Sequence, residues 1–267
     1  MWGGAGTGTP GSGRLPNSTA SPALSLSHRH SSRPALSLSG VLGDTPFTEG
    51  VVSGFLLIFF SELGDKTFFI ALLLATKRSR ALVFIGTFSA LAAMTVISVG
   101  LGRTLHALDD LVPALPGPGG APLPLDDLLA VALLVVFGVK TLAGAADAEE
   151  TAAGEEEEAA EAVGALSGGG WGPDAATAAL LASTFALVFA AEWGDKSFLA
   201  TIALAAASSP GGVVLGAVAG HGAATALAVT GGSLLKGRLS ERTVSYVGGS
   251  LFLVFAASTI VDIFRGV

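Results

Sequence analysis

The chain has 267 residues, of which 51% are hydrophobic and 13% charged, about half the charged share of a soluble domain. It holds no cysteine, which excludes a disulfide framework, a thiolate metal site and a cysteine nucleophile. The net charge of −7 is local, because Asp147 to Glu161 carries eight acids and no base; no basic stripe runs along the chain, which argues against a nucleic-acid partner.

Residues 1–46 are rich in Ser, Gly and Pro, include Arg14, Arg29 and Arg33, and hold no acid before Asp44. That composition predicts an organelle transit peptide or a disordered leader. Six apolar segments follow, at about Val51–Ala75, Ala81–Leu105, Leu128–Ala146, Thr177–Ala205, Gly211–Leu235 and Val244–Phe264. Each is long enough to cross a hydrocarbon layer of about 30 Å as a helix. None alternates with period two, as a membrane strand would. The expected fold is an all-α integral membrane protein of six transmembrane helices. Residues 147–176, acidic and Gly-rich, read as a disordered linker loop between two halves.

The two halves repeat each other. Ser53–Ala75 and Ser183–Ala205 are identical at eleven of 23 positions, at an offset of 130. The offset continues in Gly86 and Gly216, Thr95 and Thr225, and Gly102 and Gly232. Residues 47–146 and 177–267 then hold three spans each. Three is odd, so the second half enters the membrane from the opposite side. This predicts an inverted repeat, an architecture of secondary transporters. Lys77, Arg78 and Arg80, with Lys236, Arg238 and Arg242, put both basic loops and the acidic segment on the cytosol-equivalent face.

The charges inside the spans carry the chemistry. The first span contains Glu62-Leu-Gly-Asp-Lys-Thr67 and the fourth Glu192-Trp-Gly-Asp-Lys-Ser197. An Asp or Lys at a span centre costs about 2.5–3.5 kcal/mol on insertion scales, so such groups need partners or a task. In a continuous helix Glu62 and Asp65 share one face, and Lys66 pairs with Glu62 at i, i+4. Glu192, Asp195 and Lys196 do the same. Brought together at the midplane, four carboxylates and two ammonium groups leave a formal charge of −2, the complement of one divalent cation. Oxygen ligands without sulfur suit hard cations such as Ca²⁺ and Mn²⁺. Thr67 and Ser197 add hydroxyls, and Gly64 and Gly194 permit close approach or local unwinding.

The twin motif resembles the E-x-G-D-[KR]-[TS] signature of a cation/proton exchanger family whose members include Golgi manganese/calcium transporters and chloroplast manganese transporters. The resemblance runs from about Pro46 to Phe264 and includes the stretch Gly220–Gly232 and the acidic central segment. It implies transport of Mn²⁺ and/or Ca²⁺ in exchange for protons. Glu62, Asp65, Glu192 and Asp195 would be the cation-handling acids, supported by Lys66, Thr67, Lys196 and Ser197. No enzymatic role and no cofactor are expected, only divalent cations, protons and the bilayer as partners. The implied location is a chloroplast envelope or thylakoid membrane, with the Golgi as the alternative. His221, inside the fifth span, has no counterpart in the second; it can carry a proton, ligate Mn²⁺ or simply bond a neighbouring helix. An exporter of small zwitterions such as amino acids, or a passive divalent-cation channel, would fit the same six spans. An intramembrane protease fits poorly, because each Asp is bracketed by Gly and Lys and G-x-S-x-G is absent.

Overall fold

The computed structural model describes residues 45–109, 115–116, 122–167, 175–235 and 240–265. The predicted leader lies outside them except for its last two residues. The described chain is helical apart from a two-residue antiparallel ladder, β1 (Leu115–Pro116) with β2 (Pro122–Leu123). Its helices are α1 (Pro46–Glu62), α2 (Lys66–Lys77), α3 (Arg80–Asp109), α4 (Leu125–Ala143), α5 (Ala148–Ser167), α6 (Ala175–Glu192), α7 (Lys196–Ala207), α8 (Pro210–Leu235) and α9 (Glu241–Arg265).

Among the described residues, four helical stretches are long and apolar enough to cross a membrane: Arg80–Leu108, Leu125–Leu166, Pro210–Gly231 and Glu241–Arg265. The second runs on from α4 into α5. α6 and α7, bent by 70° at their junction, make a fifth candidate as one broken span. The first expected span is likewise divided, into the 17 residues of α1 and the 12 of α2. The outer faces carry exposed Ile85, Val96, Leu129, Val139 and Leu215, an apolar surface that suits lipid better than water.

The first and fourth spans both break within the motif, the local unwinding that Gly64 and Gly194 permit. Gly64 has φ +77° and Gly194 φ +86°, the left-handed region that only glycine enters without strain. Asp65 and Asp195 follow as extended N-cap residues. The Asp195 carboxylate accepts from Ser197 N at 3.2 Å, starting the next helix. The Glu-x-Gly-Asp sequence is thus a helix stop followed at once by a helix start. Hydropathy cannot register it, because the flanking residues stay apolar.

Element boundaries repeat at the sequence offset of 130. α1 ends at Glu62 and α6 at Glu192; α2 spans Lys66–Lys77 and α7 Lys196–Ala207; α3 begins at Arg80 and α8 at Pro210. The packing repeats too. α1 lies along α8 in the most extensive helix pairing, and α6 along α3, its counterpart. Small residues allow the first approach: a Cβ on Gly216 would run into the Val51 carbonyl and come within 2.8 Å of Phe55 N.

The acidic segment is not a disordered loop over the described part. α5 is a helix of 20 residues, and Ala and Glu are both good helix formers. Ala148, Ala152, Glu155, Ala159 and Val163 fall at helical spacing. Ala159 and Val163 are buried in one cluster with Phe68, Phe69, Ile70 and Leu72 of α2. An inner stripe of small apolar residues with Glu155 among them therefore docks the helix, while Glu149, Glu150, Glu157, Glu158 and Glu161 are exposed.

Candidate functional site

Each motif folds the same way around its break. Glu62 is the last residue of α1 and Glu192 the last of α6, and each is 2% exposed. Thr67 Oγ1 donates to Glu62 Oε2 at 3.0 Å, and Ser197 Oγ donates to Glu192 Oε2 at 2.7 Å. A hydroxyl from the first turn of the following helix thus reaches back and fixes the glutamate that ends the preceding one.

The lysines go elsewhere. Lys196 Nζ donates to Asp65 Oδ1 at 2.5 Å, joining the two halves. Lys66 Nζ donates to Glu158 Oε2 of α5 at 2.6 Å. The expected Glu62–Lys66 and Glu192–Lys196 pairs are absent among the described residues, because the break removes the helical turn that would align i with i+4. For the same reason Glu62 and Asp65 do not share a helix face. One ends α1, and the other caps α2.

The result is an asymmetric charge arrangement on a symmetric scaffold. Asp65 has an ammonium partner, and Lys66 is drawn out of the motif. Glu62 lies within electrostatic range of Glu192, Asp65 and Asp195, so the motifs do come together. Among the described residues neither buried glutamate forms an ion pair with a lysine; Lys196 is within electrostatic range of Glu62 but bonds Asp65. Glu192 Oε1 has no hydrogen-bond partner among the described residues. His221 of α8 is 3% exposed, and its Nδ1 lies 3.6 Å from Glu62 Oε1, too far for a hydrogen bond. An uncompensated carboxylate in such a place is costly unless a cation or a proton joins it.

Two residues near the motifs were not singled out in the sequence. Glu158 holds Lys66. Glu155, half-buried on the same helix, is close enough to Asp65 and Lys196 to feel both charges. The signal was the three-and-four spacing of the α5 inner stripe, masked by the acidic run around it. Among the described residues, no three His, Asp or Glu side chains stand close enough together to hold one metal ion. Any ion here would need oxygens beyond the carboxylates.

The family model of the divalent cation/proton antiporter GDT1 matches residues 50–149 and 180–266. The chain belongs to this family. It is 62% identical over 224 residues to the chloroplastic protein PAM71 of Arabidopsis thaliana, covering 84% of this chain and 59% of that one. It is 58% identical over 225 residues to the chloroplastic GDT1-like protein 1 of Oryza sativa subsp. japonica, covering 84% and 64%. A GDT1-like protein of Synechocystis is 41% identical over 221 residues, covering 79% of this chain and 95% of the relative. The chain therefore spans 59–64% of the length of the two plant relatives. No solved structure matches it. The antiporter family fits the expected transporter class, and the two matched blocks contain both motifs.

Proposed function

We propose that the chain exchanges a divalent cation, Mn²⁺ or Ca²⁺, for protons across a chloroplast membrane. The observation that carries the reading is the pair Glu62 and Glu192, buried at two matching helix breaks and, among the described residues, neither ion-paired with a lysine. In hydrocarbon such carboxylates must be protonated or bound to a cation. The two states are the two cargoes of an antiporter, and one site alternates between them. Asp65 and Asp195 cap the helices beyond the breaks and complete the cation-handling acids. The family's description and the chloroplastic names of the plant relatives support the cargo class and the location.

In this reading α1 with α2 and α6 with α7 are broken spans, which brings the total to six. Residues 47–146 and 177–267 are inverted three-span repeats, and residues 147–176 join them. Broken helices at the midplane are where secondary transporters bind ions. Residues 1–46 address the protein to the organelle and take no part in transport. The test is a purified protein in liposomes with a pH dye inside. An outward-directed Mn²⁺ or Ca²⁺ gradient should acidify the lumen, and an amino-acid gradient should not. Absence of cation-driven pH change would overturn the exchange.

A further inference from the structure

Among the described residues no three carboxylates stand close enough to hold one ion, and a small cavity lined in part by Glu62 offers other oxygens. It is lined by Glu62, Thr67, Phe68, Thr87, Leu91 and Thr225, among others. Its volume is about 10 Å³, room for about one water. Thr87 on α3 and Thr225 on α8 are 1% and 3% exposed. Thr67 is already committed to Glu62.

Thr87 differs from most of the helical hydroxyls. Thr95, Ser98, Thr201 and Thr230 each donate to the carbonyl four residues back, the usual way to satisfy a hydroxyl in an apolar helix. Thr87 Oγ1 is buried with no hydrogen-bond partner among the described residues. Among the described residues Ser61 Oγ and Thr184 Oγ1 are also buried without a partner, but neither residue lines the cavity. Thr87 therefore lines the space beside a buried carboxylate and has an unspent hydroxyl.

We infer that Thr87 and Thr225 form a neutral-oxygen subsite of the cation site. Their hydroxyls stand in for water ligands on the divalent cation that Glu62 binds. This rests on the proposed function above. A hard cation such as Ca²⁺ takes about 6–8 oxygen ligands, and the nearby acids are too dispersed to give them. Hydroxyls add ligands without adding charge, so the subsite lets the ion shed water at Glu62 while the charge balance stays that of the carboxylates.

The experiment measures Mn²⁺ binding to the purified full chain by electron paramagnetic resonance, beside Mn²⁺ transport in liposomes. Thr87→Val keeps the shape and removes the oxygen. It should weaken Mn²⁺ binding and raise KM about five- to tenfold, the effect of one lost polar contact, with a smaller change in maximal rate. Thr225→Val should act in the same direction. Thr87→Ser should bind nearly as wild type does. Thr184→Val, outside the cavity, should leave binding unchanged. Wild-type binding in Thr87→Val, equal losses in Thr87→Val and Thr184→Val, or no rescue by Ser would each overturn the subsite while leaving the exchange intact. A wild-type chain that binds no Mn²⁺ or Ca²⁺ would instead overturn the proposed function.

Discussion

Lys196 Nζ donates to Asp65 Oδ1 across the two halves at 2.5 Å, so the ammonium of one motif serves the carboxylate of the other. Asp65 is nearly buried, and the Lys196 side chain is 39% exposed. Removing the ammonium strands a carboxylate. Lys196→Gln should cost about 1–3 kcal/mol, below the value for a fully buried pair because the lysine side chain is partly exposed. Adding Asp65→Asn should recover part of the loss. Thermal unfolding of the single and double variants in detergent measures the coupling; strictly additive losses would show that the two side chains do not act as a pair.

Lys66 has the opposite fate, held outside the motif by Glu158 on the acidic helix. Glu158 is well exposed, so Glu158→Gln should change stability by less than about 1 kcal/mol. It also frees an ammonium beside the carboxylates, and that positive charge competes with the cation. The KM for Mn²⁺ should rise although the fold is unchanged. An unaltered KM would mean that the released lysine does not return to the site.

The α1–α8 contact depends on the missing side chain at Gly216. Gly216→Ala places a methyl against the backbone of Val51 and Phe55, which cannot turn aside. The loss should be about 1–3 kcal/mol. At Gly100 on α3 a methyl would meet nothing within 4 Å, so Gly100→Ala should be neutral or stabilising by up to about 1 kcal/mol. Equal effects at both positions would mean that the close helix approach is wrong.

The natural absence of cysteine makes topology directly measurable. With α1–α2 and α6–α7 as broken spans, Ser79→Cys and Ser240→Cys should be labelled by an impermeant thiol reagent from one side. Thr45→Cys and Ser209→Cys should be labelled from the other. Labelling of Ser79→Cys and Ser209→Cys from the same side would rule out the inverted arrangement.

Much of this was legible in the sequence. The offset of 130 matches the helix boundaries of the first two spans of each half; the third does not keep it, since α4 starts at Leu125 and α9 at Glu241. Gly64 and Gly194 marked where a helix could unwind, but not that both spans break there. Leu, Trp and Phe around Gly64 and Gly194 keep the segments apolar, and only the backbone shows that glycine turns left-handed there. The pairing of the lysines followed from that same error, since i, i+4 geometry assumes an unbroken helix. α5 was hidden by composition, for a run of glutamates reads as solvated chain unless the stripe Ala148, Ala152, Glu155, Ala159, Val163 is counted. Thr87 gave no signal, as a lone threonine in an apolar helix normally bonds its own backbone.

The most direct test of the account is cation-driven pH change in liposomes carrying Glu62→Gln, Glu192→Gln or both. Glutamine keeps the shape and one carbonyl oxygen but binds neither a proton nor, with full charge, a metal ion. Each single variant should insert and fold, because losing a buried charge lowers the insertion cost. Each should fall to the background of empty liposomes, with the double variant no worse. Asp65→Asn and Asp195→Asn should also be impaired. Mn²⁺- or Ca²⁺-driven acidification at the wild-type rate in the double glutamine variant would contradict the claim that these two carboxylates carry the ion.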